Sequence, residues 1–490
     1  MSGKTSRHYV AFYLNGELTR VEGDDAFMML AEWLRKRALK TGTKIVCAEG
    51  DCGACTVLRA FEPANSSKKP TFMSMNSCIA TVAQMDGSHL VTVEGLEVNG
   101  ELAPAQAAMR VCHGSQCGYC TPGFVMALSG ALEVKTHLDR KTAANYTTGN
   151  LCRCTGYSPI LDAAEKAKAS ETHNLSKRYL TNQNLQQLKK EIKLPVLLSD
   201  TQGRLFSAPM RLQDACKFYA KHKDTRMVAA TTDLGVQTNK GRPLPKHLLS
   251  LQNIPELYEI STSKTSLVVG ARASLGRLRK ATEKRIPEFS KFLDLFASPQ
   301  IKNVATLVGN LANASPIGDT LPFLLASDAV VHAAKFSAGK VIKRKIPITE
   351  FFLGYKKLAL KAGEFITAVE IPLTSQTTSI KLFKTSQRKD LDISAVSAAL
   401  SIETSKSGDI KNAALAFGGI AATPVRIHKL ETFLVGKPMT QKLLDRALDL
   451  LNDEIHPISD VRGTGAFRRV LVHQLFSKYI HEHFAMGGSA

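Results

Sequence analysis

The sequence predicts a multidomain α+β protein, and three observations carry that expectation. Its 490 residues leave room for about three domains at roughly 150 residues each. Nine of its ten cysteines fall between Cys47 and Cys154, which sets the N-terminal third apart from the rest. The apolar pattern also changes along the chain. Strand-like alternation comes first, helical spacing covers 90–170, and short β-branched runs alternate with helical stretches from 196 onward.

Each element has its own signal. Residues 8–22 read as a hairpin, because Asn15-Gly16 separates two alternating runs. A helix is expected over 25–40, with Leu30, Trp33 and Leu34 on one face. Strand, strand, helix and cysteine-rich loop is the order of a small ferredoxin-like domain. Residues 170–195, rich in Lys, Asn and Gln, read as a linker between domains. Strands are expected at 380–385, 395–403 and 413–418, with helices after them, and 487–490 as a flexible tail. No internal repeat is visible.

A balance of 44% hydrophobic and 22% charged residues excludes a disordered tail, a collagen-like fibre and a coiled-coil rod. No stretch approaches the ~18 consecutive apolar residues of a membrane helix, and residues 1–7 lack a secretory signal's apolar core. A soluble, cytoplasmic protein with no membrane partner is expected. The net charge of +21 raises a nucleic-acid reading, but the excess is diffuse, with +2 in residues 1–170 and +19 beyond. Its densest run, Val341-Ile342-Lys343-Arg344-Lys345, reads better as a solvated edge strand, and no DNA- or RNA-binding motif accompanies it. No nucleic-acid partner is expected. A basic field also suits anionic ligands such as dinucleotides.

The cysteines carry the chemistry. Clustered cysteines in a cytoplasmic protein read as metal or redox ligands rather than disulfides. Cys47, Cys52 and Cys55 form C-x4-C-x2-C with a distant Cys78, the plant-type [2Fe–2S] spacing. Gly50 and Gly53 would let the loop turn through positive φ and aim N–H donors at sulfur. A zinc site is the alternative, but zinc loops normally pair two C-x2-4-C knuckles. Cys117 and Cys120 (C-x2-C), then Cys152 and Cys154 (C-x-C), supply four further thiolates. The C-x-C is too tight for a zinc knuckle, which favours a second cluster. Thr121-Pro122 reads as an N-cap followed by a first-turn proline, with Phe124, Val125, Leu128 and Leu132 at helical spacing. Cys112 and Cys216 read as free thiols.

No G-x-G-x-x-G or Walker loop is present. Two segments of small and polar residues could hold a ligand. One is 228–235 (Val-Ala-Ala-Thr-Thr-Asp-Leu-Gly), where small side chains would admit a pyrophosphate and Thr231 and Thr232 would add hydroxyl donors. The other is 305–319, with Gly, Asn, Ser and Asp at an expected turn. Each segment, taken alone, reads more readily as a structural loop.

The two cysteine groups, Glu-Gly-Asp-Cys-Gly-Ala-Cys-Thr-Val and Gly-Ser-Gln-Cys-Gly-Tyr-Cys-Thr-Pro-Gly, closely resemble those of the molybdenum hydroxylases. The C-terminal segments resemble the flavin domain of that family. Nearly the whole chain is similar to the small, iron–sulfur and FAD-carrying subunit of the bacterial xanthine dehydrogenases. The resemblance implies a β-grasp [2Fe–2S] ferredoxin domain (7–90), a helical [2Fe–2S] domain (91–170), a linker (171–195), a vanillyl-alcohol-oxidase-type FAD domain (196–374) and a C-terminal α+β domain of the carbon monoxide dehydrogenase flavoprotein type (378–485). It further implies a partner molybdopterin subunit that oxidises the purine, with electrons passing through both clusters to FAD and then NAD. The purine hydroxylation site would lie on that partner, leaving no residue of this chain in it, and the assembly would be a dimer of large–small pairs.

Carried over residue by residue, the resemblance assigns the pyrophosphate to Val228, Ala229, Ala230, Thr231, Thr232 and Asp233. It assigns further FAD contacts to Phe296, Thr306, Asn310, Asp319 and Ile366, and a flavin-proximal cation to Lys384. Tyr355 falls beside the nicotinamide site and 387–394 on a loop near the flavin. Ala230 and Thr231 stand where the family carries Gly-Gly, and Val308 where it carries the first glycine of Gly-Gly-Asn. Each added Cβ would restrict positive φ and narrow the approach of the pyrophosphate. The competing functions are the equivalent subunit of an aldehyde or N-heterocycle hydroxylase, an accessory redox protein that has lost flavin, and a colourless zinc-bearing nucleic-acid binder.

Overall fold

The computed structural model describes residues 6–63, 69–373 and 378–484, so the expected tail at 487–490 lies outside the described residues. The chain forms two compact units, 1–256 with 298–305, and 257–297 with 306–490.

In the first unit, β1 (Tyr9–Leu14) and β2 (Glu17–Glu22) pair antiparallel, and the turn runs through Asn15 and Gly16 at φ 49° and 90°. The expected 25–40 helix is instead two, α1 (Gly23–Phe27) and α2 (Leu30–Lys36). Met28 and Met29 between them are extended, because Val82 N–H donates to Met28 O and Leu30 N–H to Ala80 O. This pairing outweighs the local helical preference. With β3 (Thr56–Ala60), β4 (Met73–Asn76) and β5 (His89–Val91) the sheet has the order β2-β1-β5-β3-β4. β1 and β5 run parallel at its centre, which is the β-grasp arrangement. Phe12, Trp33, Leu34 and Val57 fill its core.

Four helices follow: α3 (Pro104–Val111), α4 (Thr121–Leu132), α5 (Arg140–Thr147) and α6 (Ser158–Lys166). α4 buries Phe124, Val125 and Leu128 as its spacing predicts. Its N-cap is Cys120, one residue before the expected Thr121, and Thr121 Oγ1 donates to Ser115 Oγ rather than capping. The polar stretch 171–195 holds two short helices, α7 (Leu175–Tyr179) and α8 (Asn182–Glu191). Leu188 and Ile192 pack against Ala11 and Tyr13 of β1. A second sheet, β6 (Val196–Ser199), β7 (Leu205–Ala208), β8 (Thr225–Val228) and β9 (His247–Ser250), has the order β6-β7-β9-β8. α9 (Leu212–Lys221) precedes β8, and α10 (Leu234–Asn239) follows it.

The second unit holds two main sheets. In the first, the strand Lys340–Pro347 is an edge. It carries the basic run as expected, with Arg344 paired to Glu364 and Lys345 to Glu370. The other sheet contains Thr378–Thr385, Val396–Thr404 and Ile410–Gly418, the three strands expected there. The helices Gln441–Glu454 and Gly465–His483 cover it, burying Leu444, Leu451, Phe476 and Tyr479.

Candidate functional site

The first four cysteines converge. The Cys47 thiol interacts with those of Cys52 and Cys78, and the Cys55 thiol with that of Cys78. Hydrogen bonds from Cys52 and Cys78 hold the Cys47 thiol far below its ordinary value and correspondingly push those two up. The wrapping loop turns through positive φ at Ala48, Gly50 and Gly53. Glu49 N–H points at Cys47 Sγ (3.4 Å), Asn76 Nδ2 ties Gly50 O (2.7 Å), and Ser77 Oγ ties Cys55 O (2.6 Å). The second four also pair. Cys117 Sγ and Cys154 Sγ are 3.6 Å apart, and burial followed by the neighbouring Cys152 pushes the Cys120 thiol up. Cys117 and Cys154 are exposed, whereas Cys55 and Cys78 are buried. Among the described residues no three metal-ligating side chains surround a single ion position. Thiols gathered in close pairs within a loop of inward N–H groups suit two-iron clusters, in which each iron takes two thiolates.

The two cysteine sets touch through backbone. Leu151 N–H donates to Cys52 O (3.0 Å), one residue before Cys152, and Asn150 Nδ2 donates to Gly53 O (3.1 Å). Gln300, on the returning segment 298–305, donates to Asn150 Oδ1 (2.8 Å). A Cβ on Gly123 of α4 would stand 2.2 Å from Gly53 O, so that glycine permits the close approach. Asn150, Gln300 and Gly123 escape a sequence reading. Asn150 beside the C-x-C was the available hint, whereas nothing local ties Gln300 to the cysteines. Cys216 is fully buried, which pushes its thiol up to about 11, and Cys112 is half-buried against the helical core.

The 228–233 segment follows β8 directly. Thr231 takes φ +55°, a left-handed conformation that costs a β-branched residue about 1–2 kcal/mol. Its hydroxyl, expected as a ligand donor, is buried and engaged elsewhere, 2.6 Å from Ile79 O and 2.5 Å from Gln84 Oε1. Thr232 is half-buried. Ala230 and Val308 avoid positive φ, so the expected backbone restriction applies to Thr231 alone.

In the second unit the expected turn at 305–319 contains a helix, Leu307–Asn313, with Val308 inside it. Thr306 caps it, accepting from Gly309 N–H (2.9 Å), and Thr320 Oγ1 donates to Asn310 Oδ1 (2.7 Å). Lys384 Nζ is buried against Asp319 Oδ2 (2.7 Å), Asp392 O (2.7 Å) and Ser394 Oγ (2.8 Å). Ser394 Oγ in turn donates to Asp319 Oδ1 (2.6 Å). The cation expected from Lys384 is therefore half of a buried, neutral pair. Ile366 is buried in the strand Phe365–Pro372, Phe296 is half-buried, and Tyr355 is 65% exposed on a two-stranded hairpin. Within this unit the Thr306 hydroxyl and the Asn310 amide keep donor capacity.

Residues 92–165 match the [2Fe-2S] binding domain, 201–374 the FAD binding domain in molybdopterin dehydrogenase, and 381–483 the CO dehydrogenase flavoprotein C-terminal domain. These matches define a multidomain α+β chain built from a [2Fe-2S]-binding domain, an FAD-binding domain and a domain of the CO dehydrogenase flavoprotein type. The chain is 30% identical over 531 residues to the xanthine dehydrogenase of Emericella nidulans, covering 96% of itself and 38% of that protein. It is 30% identical to xanthine dehydrogenase 1 of Arabidopsis thaliana, covering 95% and 39% respectively. It thus spans about two-fifths of the length of these curated relatives. Among solved structures, quinoline 2-oxidoreductase from Pseudomonas putida 86 matches at TM-score 0.51 and 27% identity, over 56% of this chain and 94% of that one. Carbon monoxide dehydrogenase from Hydrogenophaga pseudoflava matches in fold at TM-score 0.53 and 22% identity, over 56% and 95%. Among the described residues no helix is long and apolar enough to cross a membrane.

Proposed function

We propose that this chain is the electron-transfer subunit of a xanthine dehydrogenase, acting with a separate molybdopterin-bearing subunit that hydroxylates hypoxanthine or xanthine. The observation that carries the reading is the pair of cysteine sets joined by the Cys52–Leu151 hydrogen bond in a chain that also matches a flavin domain. When bound, two [2Fe–2S] clusters relay single electrons, and FAD gathers two and reduces NAD. Cys47, Cys52, Cys55 and Cys78 hold one cluster, and Cys117, Cys120, Cys152 and Cys154 the other. The exposure of Cys117 and Cys154 supports the second set as the entry point for electrons from the partner. Residues 228–233 approach the pyrophosphate through backbone and Thr232, while Phe296, Thr306, Asn310 and Ile366 contact FAD. The Lys384–Asp319 pair orients the flavin side without adding net charge, and Tyr355 stands on the NAD side. The domains fall at 7–90, 91–170, 196–374 and 378–485, and the protein works in the cytoplasm as a dimer of large–small pairs.

The first test is the visible spectrum of the purified chain with its iron and acid-released flavin counted. About four irons and one FAD per chain, as two two-iron clusters and a flavin require, with bleaching by dithionite, are expected. Four irons without flavin would remove the NAD-reducing role. The 27% identity to quinoline 2-oxidoreductase favours one second reading, an N-heterocycle hydroxylase. Assay of the complex with hypoxanthine and quinoline, with NAD and oxygen as acceptors, separates the two.

A further inference from the structure

Residues 231–239 and the segments that carry the first cysteine set lie more than 150 residues apart in sequence, yet they meet at three points. Thr231 Oγ1 lies 2.6 Å from Ile79 O, the carbonyl directly after Cys78. Gly235 comes so close that a Cβ there would stand 2.2 Å from the same oxygen. At the end of α10, Asn239 Nδ2 donates to Ala48 O (2.7 Å) and Cys78 O (2.8 Å). Ala48 lies inside the loop between Cys47 and Cys52, at φ +56°. Ile79 also reaches back, its side chain packing on Gly50. The turn carrying Cys78 is therefore bonded on one side to the cysteine loop and on the other to the ligand segment.

Thr231 is the residue that makes this connection conditional. Its left-handed backbone is one that glycine adopts freely and threonine does not. A threonine stays in that conformation only while something holds it; Gln84 Oε1 (2.5 Å from the hydroxyl) and Gly235 N–H (donating to Thr231 O, 2.6 Å) hold it from one side, and from the other Ile79 O, a carbonyl whose position follows from Cys78. We propose that Thr231 is a positioning residue that couples the two sites: occupancy of the first cluster holds Ile79 O in place, which keeps residues 229–232 shaped for the pyrophosphate. Loss of that cluster releases the segment and weakens FAD binding. By linkage, FAD binding must stabilise the cluster equally. The proposal rests on the reading that this segment binds FAD, and it concerns only this chain's residues.

The test titrates FAD into the flavin-stripped full chain, with fluorescence as readout, in cluster-bearing protein and in Cys47→Ser, which lacks a ligand of the first cluster. We expect FAD affinity to drop about tenfold or more in Cys47→Ser, within the usual range of coupling between sites. In Thr231→Gly the backbone no longer needs its tether, so the same comparison should give less than about a threefold difference. Thr231→Ser, which keeps the hydroxyl, should restore the dependence. A second readout needs no cluster-free protein: the EPR signal of the reduced first cluster should shift on FAD binding in the unsubstituted chain and in Thr231→Ser, and not in Thr231→Gly. Equal FAD affinity with and without the cluster, or an undiminished difference in Thr231→Gly, overturns the coupling while leaving the flavin reading intact. If Cys47→Ser does not fold, the EPR comparison decides alone. Failure of the cluster-bearing, unsubstituted chain to bind FAD at all overturns the flavin reading, and the coupling with it.

Discussion

Lys384 shows how a side chain's neighbours rewrite its role. A lone cation beside a flavin would favour the reduced, anionic ring, but here Asp319, Ser394 and the Asp392 carbonyl surround the ammonium. Lys384→Met would strand the Asp319 carboxylate in a buried site and should destabilise the protein by about 3–5 kcal/mol. Adding Asp319→Asn should recover much of that loss, and urea denaturation of the single and double variants measures both. His89 makes a second prediction. It is 2% exposed, stacked on Tyr13 with ring centroids 4.8 Å apart, and neither ring nitrogen has a partner among the described residues. Burial pushes its pKa down to about 4 from 6.5. The unfolded chain therefore takes up a proton that the folded chain refuses. The His89 contribution is neutral above pH 6.5 and becomes destabilising as pH falls towards 4, by on the order of 3 kcal/mol. His89→Leu should flatten this part of the stability–pH profile.

Elements met their expectations where the signal was local and departed where a neighbour intervened. The 8–22 hairpin follows from Asn15-Gly16, since few other pairs tolerate two successive positive φ angles. The 25–40 helix breaks at Met28-Met29 because backbone partners at Ala80 and Val82 compete for those groups. The apolar spacing of α4 located its buried face, whereas its closest contact depends on a residue without a side chain. Gly123→Ala would force a Cβ into Gly53 O, 2.2 Å away, at a cost of about 1–3 kcal/mol in overpacking. We expect reduced iron content together with a lower melting temperature. Unchanged iron retention would show that α4 does not brace the first cysteine loop.

Over the whole molecule, the apolar residues collect into separate cores in the two compact units, around Phe12, Trp33 and Phe124 in the first and around Leu415, Phe417 and Phe476 in the second. Unfolding should accordingly depart from a single cooperative step. Calorimetry of Cys47→Ser should show one transition moved to lower temperature and the other in place; a uniform shift would mean the units melt together. Acid should weaken both units. Hydrogen bonding to Arg20 holds Glu191 below the usual carboxylate range, and Lys345 and His332 do the same for Glu370. The stability these pairs confer is present above pH ~4.5 and is lost as pH falls through their lowered values.

The cysteine spacings, the hairpin, the buried face of α4, the basic edge strand and the three late strands were legible in the sequence, because each depends on contacts within a few residues or on a strict periodicity. The sequence alone also marked out the candidate ligands, as thiols at C-x4-C-x2-C and C-x-C spacing. Only the tertiary structure decided how those parts are joined. That Leu151 reaches Cys52, that Gln300 returns to clasp Asn150, and that the Thr231 hydroxyl turns towards Ile79 all depend on segments about 100 to 150 residues apart. Hydrogen bonds of that kind are chosen by packing, when buried donors and acceptors must find whichever partner the fold places beside them.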